Sequence, residues 1–286
     1  MKQADIPMTH FTQQADRISV TQVVTGDDEK SHFNDYEIEL HRDDSPFLVS
    51  DVIPATAISF RWTPHDYRSD FHHAPRHRLL IVLSGCIEIE VPDGAVRRFE
   101  CGDLLEVCDT SGHGHISRSG STMPVRTAII NLDGNLVTPR DVPFDANAEA
   151  GESALTLLRT FADDDGVSET VEESLPILTK GPSGRVTAEE PITGFQYVVA
   201  PATLDYDWHQ APQKQYVLPL TGGMQVENGN GGKHTVHPGD IYRGEDTDGQ
   251  GHITRALNGQ RLSIFCLLYT SPSPRDATLS RMPSSA

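Results

Sequence analysis

Four histidines stand out because they recur in pairs at one constant distance along the chain. His72 and His209 are 137 residues apart, and so are His115 and His252. A neutral imidazole is a good donor to a borderline divalent metal, so a recurring set of them is a candidate for metal chemistry. Their surroundings recur as well. Phe71-His-His-Ala-Pro75 sets over Trp208-His-Gln-Ala-Pro212, and Asp109-Thr-Ser-Gly-His-Gly-His-Ile-Ser-Arg118 over Asp246-Thr-Asp-Gly-Gln-Gly-His-Ile-Thr-Arg255. Between them the same offset carries Gly85 onto Gly222, Gly94 onto Gly231 and Gly102-Asp103 onto Gly239-Asp240 without a gap. The chain is an internal duplication, and whatever positions these histidines is built twice.

The elements that carry them read as short strands. Ile87, Ile89 and Val91 alternate with Glu88 and Glu90, the period-2 pattern of a half-buried strand, and Met224 and Val226 repeat it beside Gln225 and Glu227. Pro92-Asp-Gly94 and Asn228-Gly-Asn-Gly-Gly232 supply hairpin turns. Leu79–Leu83 and Tyr216–Leu220 are dense apolar runs, expected as strands buried on both faces. Helical periodicity is weak, with one helical turn expected around Ser153–Phe161. A polar stretch at 136–152, holding Pro139 and Pro143, reads as a linker between domains at 16–135 and 153–265. Short strands with regular turns favour a sandwich, jelly roll or small barrel.

At this point the residues resemble the cupin superfamily. His72-x-Ala74-x3-Arg78-x6-Gly85 and His209-x-Ala211-x3-Gln215-x6-Gly222 fit the spacing of its first motif, H-x-H-x3-E-x6-G. Gly102-Asp103 through His115, and Gly239-Asp240 through His252, are similar to its second. The resemblance covers nearly the whole chain and implies an all-β bicupin: two tandem cupin jelly-roll (double-stranded β-helix) barrels, each with a mouth for a small molecule. It also implies a divalent transition metal, Fe, Mn, Ni, Cu or Zn. The departures are that Ala74 and Ala211 stand at the second histidine, and Arg78 and Gln215 at the glutamate.

Parity along an extended chain would point His209, Ala211 and Gln215 inward together, as it would His72, Ala74 and Arg78, unless Pro212 and Pro75 introduce a bulge. The C-terminal copy then offers His209, His252 and the Gln215 amide oxygen to a metal, with Gln250 a further donor or a substrate contact. The N-terminal copy offers His72 and His115, with His113 as a third imidazole, but Arg78 opposes a cation there and suits an anionic ligand instead. Histidines that only hydrogen-bond within a barrel mouth are the bland alternative. The expected function is a metal-dependent small-molecule enzyme of the oxygenase, isomerase or decarboxylase sort, with the metal in the C-terminal barrel. The rival is a metal-free module that binds or senses a small metabolite. His65, His73 and His77 read as exposed. Asp109 and Asp246 read as turn-shaping residues, with a general acid or base role conceivable.

Residues Cys266–Ala286 match, in one frame, the translation of a transposase-type sequencing adaptor. The expectation is therefore a non-native tail, with the natural portion ending near Phe265 in a gene from shotgun, metagenomic sequencing. That tail carries Arg275, Arg281 and Asp276, so leaving it out takes the net charge from −18 to −19. So acidic a chain repels phosphate backbones, and nucleic acid is not an expected partner. There is no apolar run long enough for a membrane span and no signal-peptide h-region. The three remaining cysteines, Cys86, Cys101 and Cys108, show no regular spacing, which suggests reduced thiols and a cytoplasmic setting. A homodimer through exposed sheet edges is the expected assembly.

Overall fold

The computed structural model describes residues 16–42, 45–132, 155–181 and 183–269. The expected linker at 136–152 lies outside them. The described residues form strands, turns and irregular segments, without a helix, so no helix among them is long and apolar enough to cross a membrane.

Each copy folds as a jelly-roll barrel with one small sheet of its own. In the first, Cys86–Glu90 lies between Val96–Glu100 and Ile116–Ser119. In the second, the order is Asp205–His209, His252–Leu257, Gly223–Glu227, Lys233–Val236. The hairpin turns fall where the sequence places them, with Asp93 Oδ1 accepting from the Ala95 N–H at 2.8 Å and Asn228 Oδ1 from the Gly232 N–H at 2.8 Å. The dense run Tyr216–Leu220 is buried throughout. Where a helical turn is expected around Ser153–Phe161, the described part is instead the strand Leu155–Ala162, antiparallel to Ser168–Leu175 and parallel to Tyr242–Gly244. Period-2 burial of Leu155 and Leu157 against the core prevails over the weak helical spacing.

The other sheet is common to both copies, because they exchange arms. Leu48–Val49 and Ile53–Pro54 from the first copy pair with Glu190–Ala200 of the second. In return Gly184–Thr187 pairs with Ala57–Thr63 of the first. The exchange repeats atom for atom across the duplication. The Tyr197 N–H donates to Ser50 Oγ at 3.0 Å, and the Phe60 N–H donates to Thr187 Oγ1 at 2.9 Å. Both residue pairs are related by the 137-residue offset. One apolar core runs across the seam, joining Phe60, Leu79 and Ile81 to Tyr197, Tyr216 and Leu218. Phe60 and Tyr216 meet edge to face at 5.3 Å between ring centres. Such a contact adds about 0.5–1.5 kcal/mol to the area it buries.

Two glycines seal the seam. A Cβ on Gly239 (φ +84°) would lie 2.0 Å from the Leu83 carbonyl oxygen, and one on Gly102 (φ +93°) 2.8 Å from that of Leu220. Only glycine combines this left-handed backbone with so close an approach. The Gly-Asp step of the repeated motif therefore serves lobe-to-lobe packing.

The last strand, Arg261–Leu268, continues beyond Phe265. Cys266 pairs with both Phe195 and Tyr216 and is buried in the shared core. Residues 270–286 of the expected tail lie outside the described part.

Candidate functional site

The histidine pairs form beside each small sheet, in the second copy where two of its strands meet and in the first at an isolated bridge. His209 ends the strand Asp205–His209 and pairs in register with His252, the first residue of its neighbour. Their ring centres are 4.4 Å apart. His72 and His115 form the matching bridge in the first copy, at 4.7 Å. The backbone between first-motif residues leaves strand geometry after His209 and resumes it at Gln215, as the proline at 212 requires. His209, Ala211 and Gln215 nevertheless all line one cavity.

Each imidazole of a pair is held through Nδ1. His252 Nδ1 lies 2.6 Å from Asp246 Oδ2, and His115 Nδ1 lies 2.7 Å from Asp109 Oδ2. Both aspartates are 0% exposed. His209 Nδ1 lies 2.7 Å from the Asp207 carbonyl oxygen and His72 Nδ1 3.0 Å from that of Asp70. A carbonyl can only accept, so Nδ1 of His209 and His72 carries the proton and Nε2 keeps its lone pair. This outer bonding is the kind that orients imidazoles for metal ligation. Burial lowers the pKa of His209, and the neighbouring His252 lowers it further; burial is also the main cause of the lowered value at His72. Both rings are thus biased toward the neutral, donating form.

Asp109 and Asp246, which the sequence reading treats as turn residues, are the buried supports of the histidines. The signal available was the Asp-x5-His spacing, present in both copies. The two supports differ in one respect. Asp109 Oδ2 also accepts from Ser31 Oγ at 2.7 Å, whereas the corresponding Ser168 donates to the Gly251 carbonyl at 2.6 Å.

The cavities beside the pairs differ more. In the second copy the cavity measures about 360 Å³, within the range of about 300–1,000 Å³ typical of small-molecule sites. Ser45, Phe47 and Val49 of the exchanged arm form one wall, and Phe47 packs edge to face on Tyr206 at 5.7 Å. In the first copy the space lined by His72, without His115, measures about 60 Å³, room for a water or two at about 30 Å³ each. There Arg61 fills the place of Val198, and Arg118, ion-paired to Glu88 and Glu90 at 2.7 Å each, closes a second side.

Other expected site residues sit elsewhere. Gln250 and His113 are exposed and lie outside both cavity linings; the His113 ring packs on Phe71 at 4.3 Å. Arg78 begins a strand opposite Val107 and Asn131, partly buried and likewise outside the lining. His77, read as exposed, is partly buried with Nε2 2.5 Å from Glu106 Oε1. His77, Glu106 and Cys108 bring their donor atoms within 4.8 Å of one another. The Glu106 carboxylate is already bonded there by Tyr36 and Gln22. Burial pushes the Cys108 thiol up to about 11, which disfavours the thiolate a metal needs.

No protein-family model matches the chain, and no curated protein matches it in sequence. Among solved structures it is similar to a cupin 2 conserved barrel domain protein from Leptotrichia buccalis, at 11% identity and a TM-score of 0.38, over 91% of this chain and 92% of that one. It is similar to a putative glyoxylate-induced protein from Pseudomonas aeruginosa at 11% identity and a TM-score of 0.36, over 93% of each chain. A salicylate 1,2-dioxygenase from Pseudaminobacter salicylatoxidans matches at 12% identity and a TM-score of 0.34, over 84% of this chain and 74% of that one.

Proposed function

We propose that the C-terminal barrel is the working lobe of a metal-dependent small-molecule enzyme, and that the N-terminal barrel is its structural partner. The observation that carries this reading is the contrast in room. His209 and His252 both line a cavity of about 360 Å³, whereas in the first copy His72 alone of the pair lines a space, of about 60 Å³.

The donor set fits a divalent transition metal. His209 and His252 have Nδ1 engaged, and Gln215, buried at the start of its strand, lines the same cavity. His209, His252 and the Gln215 amide oxygen would hold the ion, leaving the remaining positions to water or substrate. The ion would supply Lewis acidity toward a bound oxygen atom. The chain's own contribution is to fix both imidazole tautomers through Asp246 and Asp207. Tyr206 and Phe47 shield one side of the cavity from water, and its apolar wall orients the substrate. Gln250, placed on the exposed turn, is assigned no role in the chemistry.

A metal-free binding module is the second reading, favoured by the absence of any carboxylate among the described residues that line the cavity. Elemental mass spectrometry on the full chain, purified without chelator or affinity-metal resin, separates the two. The enzyme reading expects near-stoichiometric iron, manganese, nickel, copper or zinc, lost in His209→Ala and reduced in Gln215→Leu. A folded, metal-free protein that takes up none of these ions on reconstitution would overturn it.

A further inference from the structure

The second cavity contains a buried positive charge that the histidine site does not use. Arg261 opens the last strand, is 2% exposed and lines the cavity. Its Nε and Nη1 are buried and meet no hydrogen-bond acceptor among the described residues. Among the described residues, the cavity lining holds no aspartate, glutamate or lysine. Isolating a guanidinium from water without an acceptor costs several kcal/mol. Nothing in the architecture demands it. The last strands of the two copies align so that Ser263 pairs with Pro219 as Thr127 pairs with Val82, which puts Arg261 in the place of Val125. That valine is fully buried in the first barrel.

We infer that Arg261 is the anchor for a carboxylate, and that the ligand of the C-terminal barrel is a compact carboxylic acid with an apolar body. This deepens the reading of that barrel as the working lobe and rests on it. A single guanidinium is neutralised by a monoanion, and its planar fork matches a carboxylate. Val198, Val217, Met224 and Phe265 in the same wall suit an apolar body attached to that carboxylate. The anchor and the histidines face a common ligand. Arg261, Tyr242 and His252 line the same cavity, and the Tyr242 ring is 6.3 Å from that of His252. An acid held at Arg261 therefore lays its body along Tyr242 toward the histidine pair.

The test uses the full chain, metal-free and metal-loaded, with benzoate, 3-phenylpropanoate and hexanoate as probes and their primary amides as neutral isosteres. Calorimetric affinity and melting temperature are measured for wild type and Arg261→Met. At least one acid is expected to bind wild type and to outbind its amide. Arg261→Met should weaken that acid by about 30-fold or more, the usual effect of truncating a buried charge pair, while leaving the amide's affinity and the metal content unchanged. The ligand-free variant should melt above wild type, because an unpaired buried charge has been replaced by an apolar chain.

Equal binding of acid and amide, no acid bound at millimolar concentration, or a ligand-free Arg261→Met protein that melts lower would overturn the inference. The last result would identify the guanidinium as a structural group. Acid binding that depends on Arg261 in a protein that takes up no metal would overturn the metal-enzyme reading and leave this inference standing.

Discussion

Replacing His252 by alanine should damage the fold far more than replacing His209, although each removes one imidazole from the same pair. His252 is 6% exposed and bonded to Asp246, which is 0% exposed and has its other oxygen, Oδ1, without a partner among the described residues. Deleting the ring strands a buried carboxylate. Leaving such a carboxylate buried and uncompensated costs about 3–5 kcal/mol. His209 is only partly buried and bonds a backbone carbonyl, an interaction worth about 0.5–1.5 kcal/mol net. At about 2–4 °C per kcal/mol, the His252→Ala melting temperature should fall by roughly 6–20 °C and that of His209→Ala by a few degrees. His115→Ala should fall in between, because Asp109 keeps the Ser31 hydroxyl as a donor. The assay is thermal and urea unfolding of the metal-free proteins, so that ion binding does not contribute. Removing both partners of a buried bond is nearly neutral, so Asp246→Ala added to His252→Ala should recover part of the loss. Equal destabilisation at 252 and 209, or no recovery in the double variant, would refute the reasoning. Metal tests should accordingly use His209 variants.

The arm exchange predicts that Ser50→Ala and Thr187→Ala each destabilise by about 1–3 kcal/mol, since each leaves a buried strand N–H without its acceptor; urea unfolding measures both, and a loss at one site alone contradicts the pseudo-symmetry. Gly239→Ala should be worse than Gly102→Ala, because its Cβ meets the Leu83 carbonyl at 2.0 Å rather than 2.8 Å from that of Leu220; melting temperatures check the order. His209 has a folded pKa below its ordinary value of about 6.5, so below that pH the unfolded chain takes up the proton first. The stability this contributes is complete above pH 6.5 and is lost as pH falls from there toward the folded pKa; the unfolding free energy of His209→Gln should show a shallower slope in that window. Val198→Arg, which copies Arg61 of the first barrel, should fill the C-terminal cavity and abolish binding of the acid probes while leaving the protein folded.

The duplication, the strands and the hairpins were legible because each leaves a local record: a constant offset, a period of two, an Asp-Gly or Asn-Gly turn. The arm exchange left none. Nothing in Leu48–Val49 or Gly184–Thr187 says that its partner strand belongs to the other copy, since β-pairing is set by long-range register and by the core it closes. The site was legible in part. His209, Ala211 and Gln215 share a cavity, but parity alone could not decide this through Pro212, and in the first copy the same spacing leaves Arg78 outside. Asp246 was misjudged because a buried aspartate and a turn aspartate look alike until the histidine six residues on is seen to fold back over it. Arg261 was invisible for a different reason. It lies at the start of an apolar strand, one residue out of the offset that aligned everything before it, and adjoins a stretch read as foreign sequence.

The recurrence of the histidine pair in both copies is weaker support for chemistry than it first suggests. His115 sits over a carboxylate buried at 0% exposure, so the first barrel has a structural reason to keep it whether or not any ligand enters. His72 bridges to it backbone to backbone, with the His72 N–H donating to the His115 carbonyl at 3.0 Å and the reverse bond at 2.9 Å. A pair maintained by packing would survive in a lobe whose cavity has closed, and that is the arrangement found around Arg61. Chemistry must then be argued from what only the second copy has: Val198 where an arginine would fill the space, a cavity walled partly by the other copy's arm, and Arg261 in place of a valine.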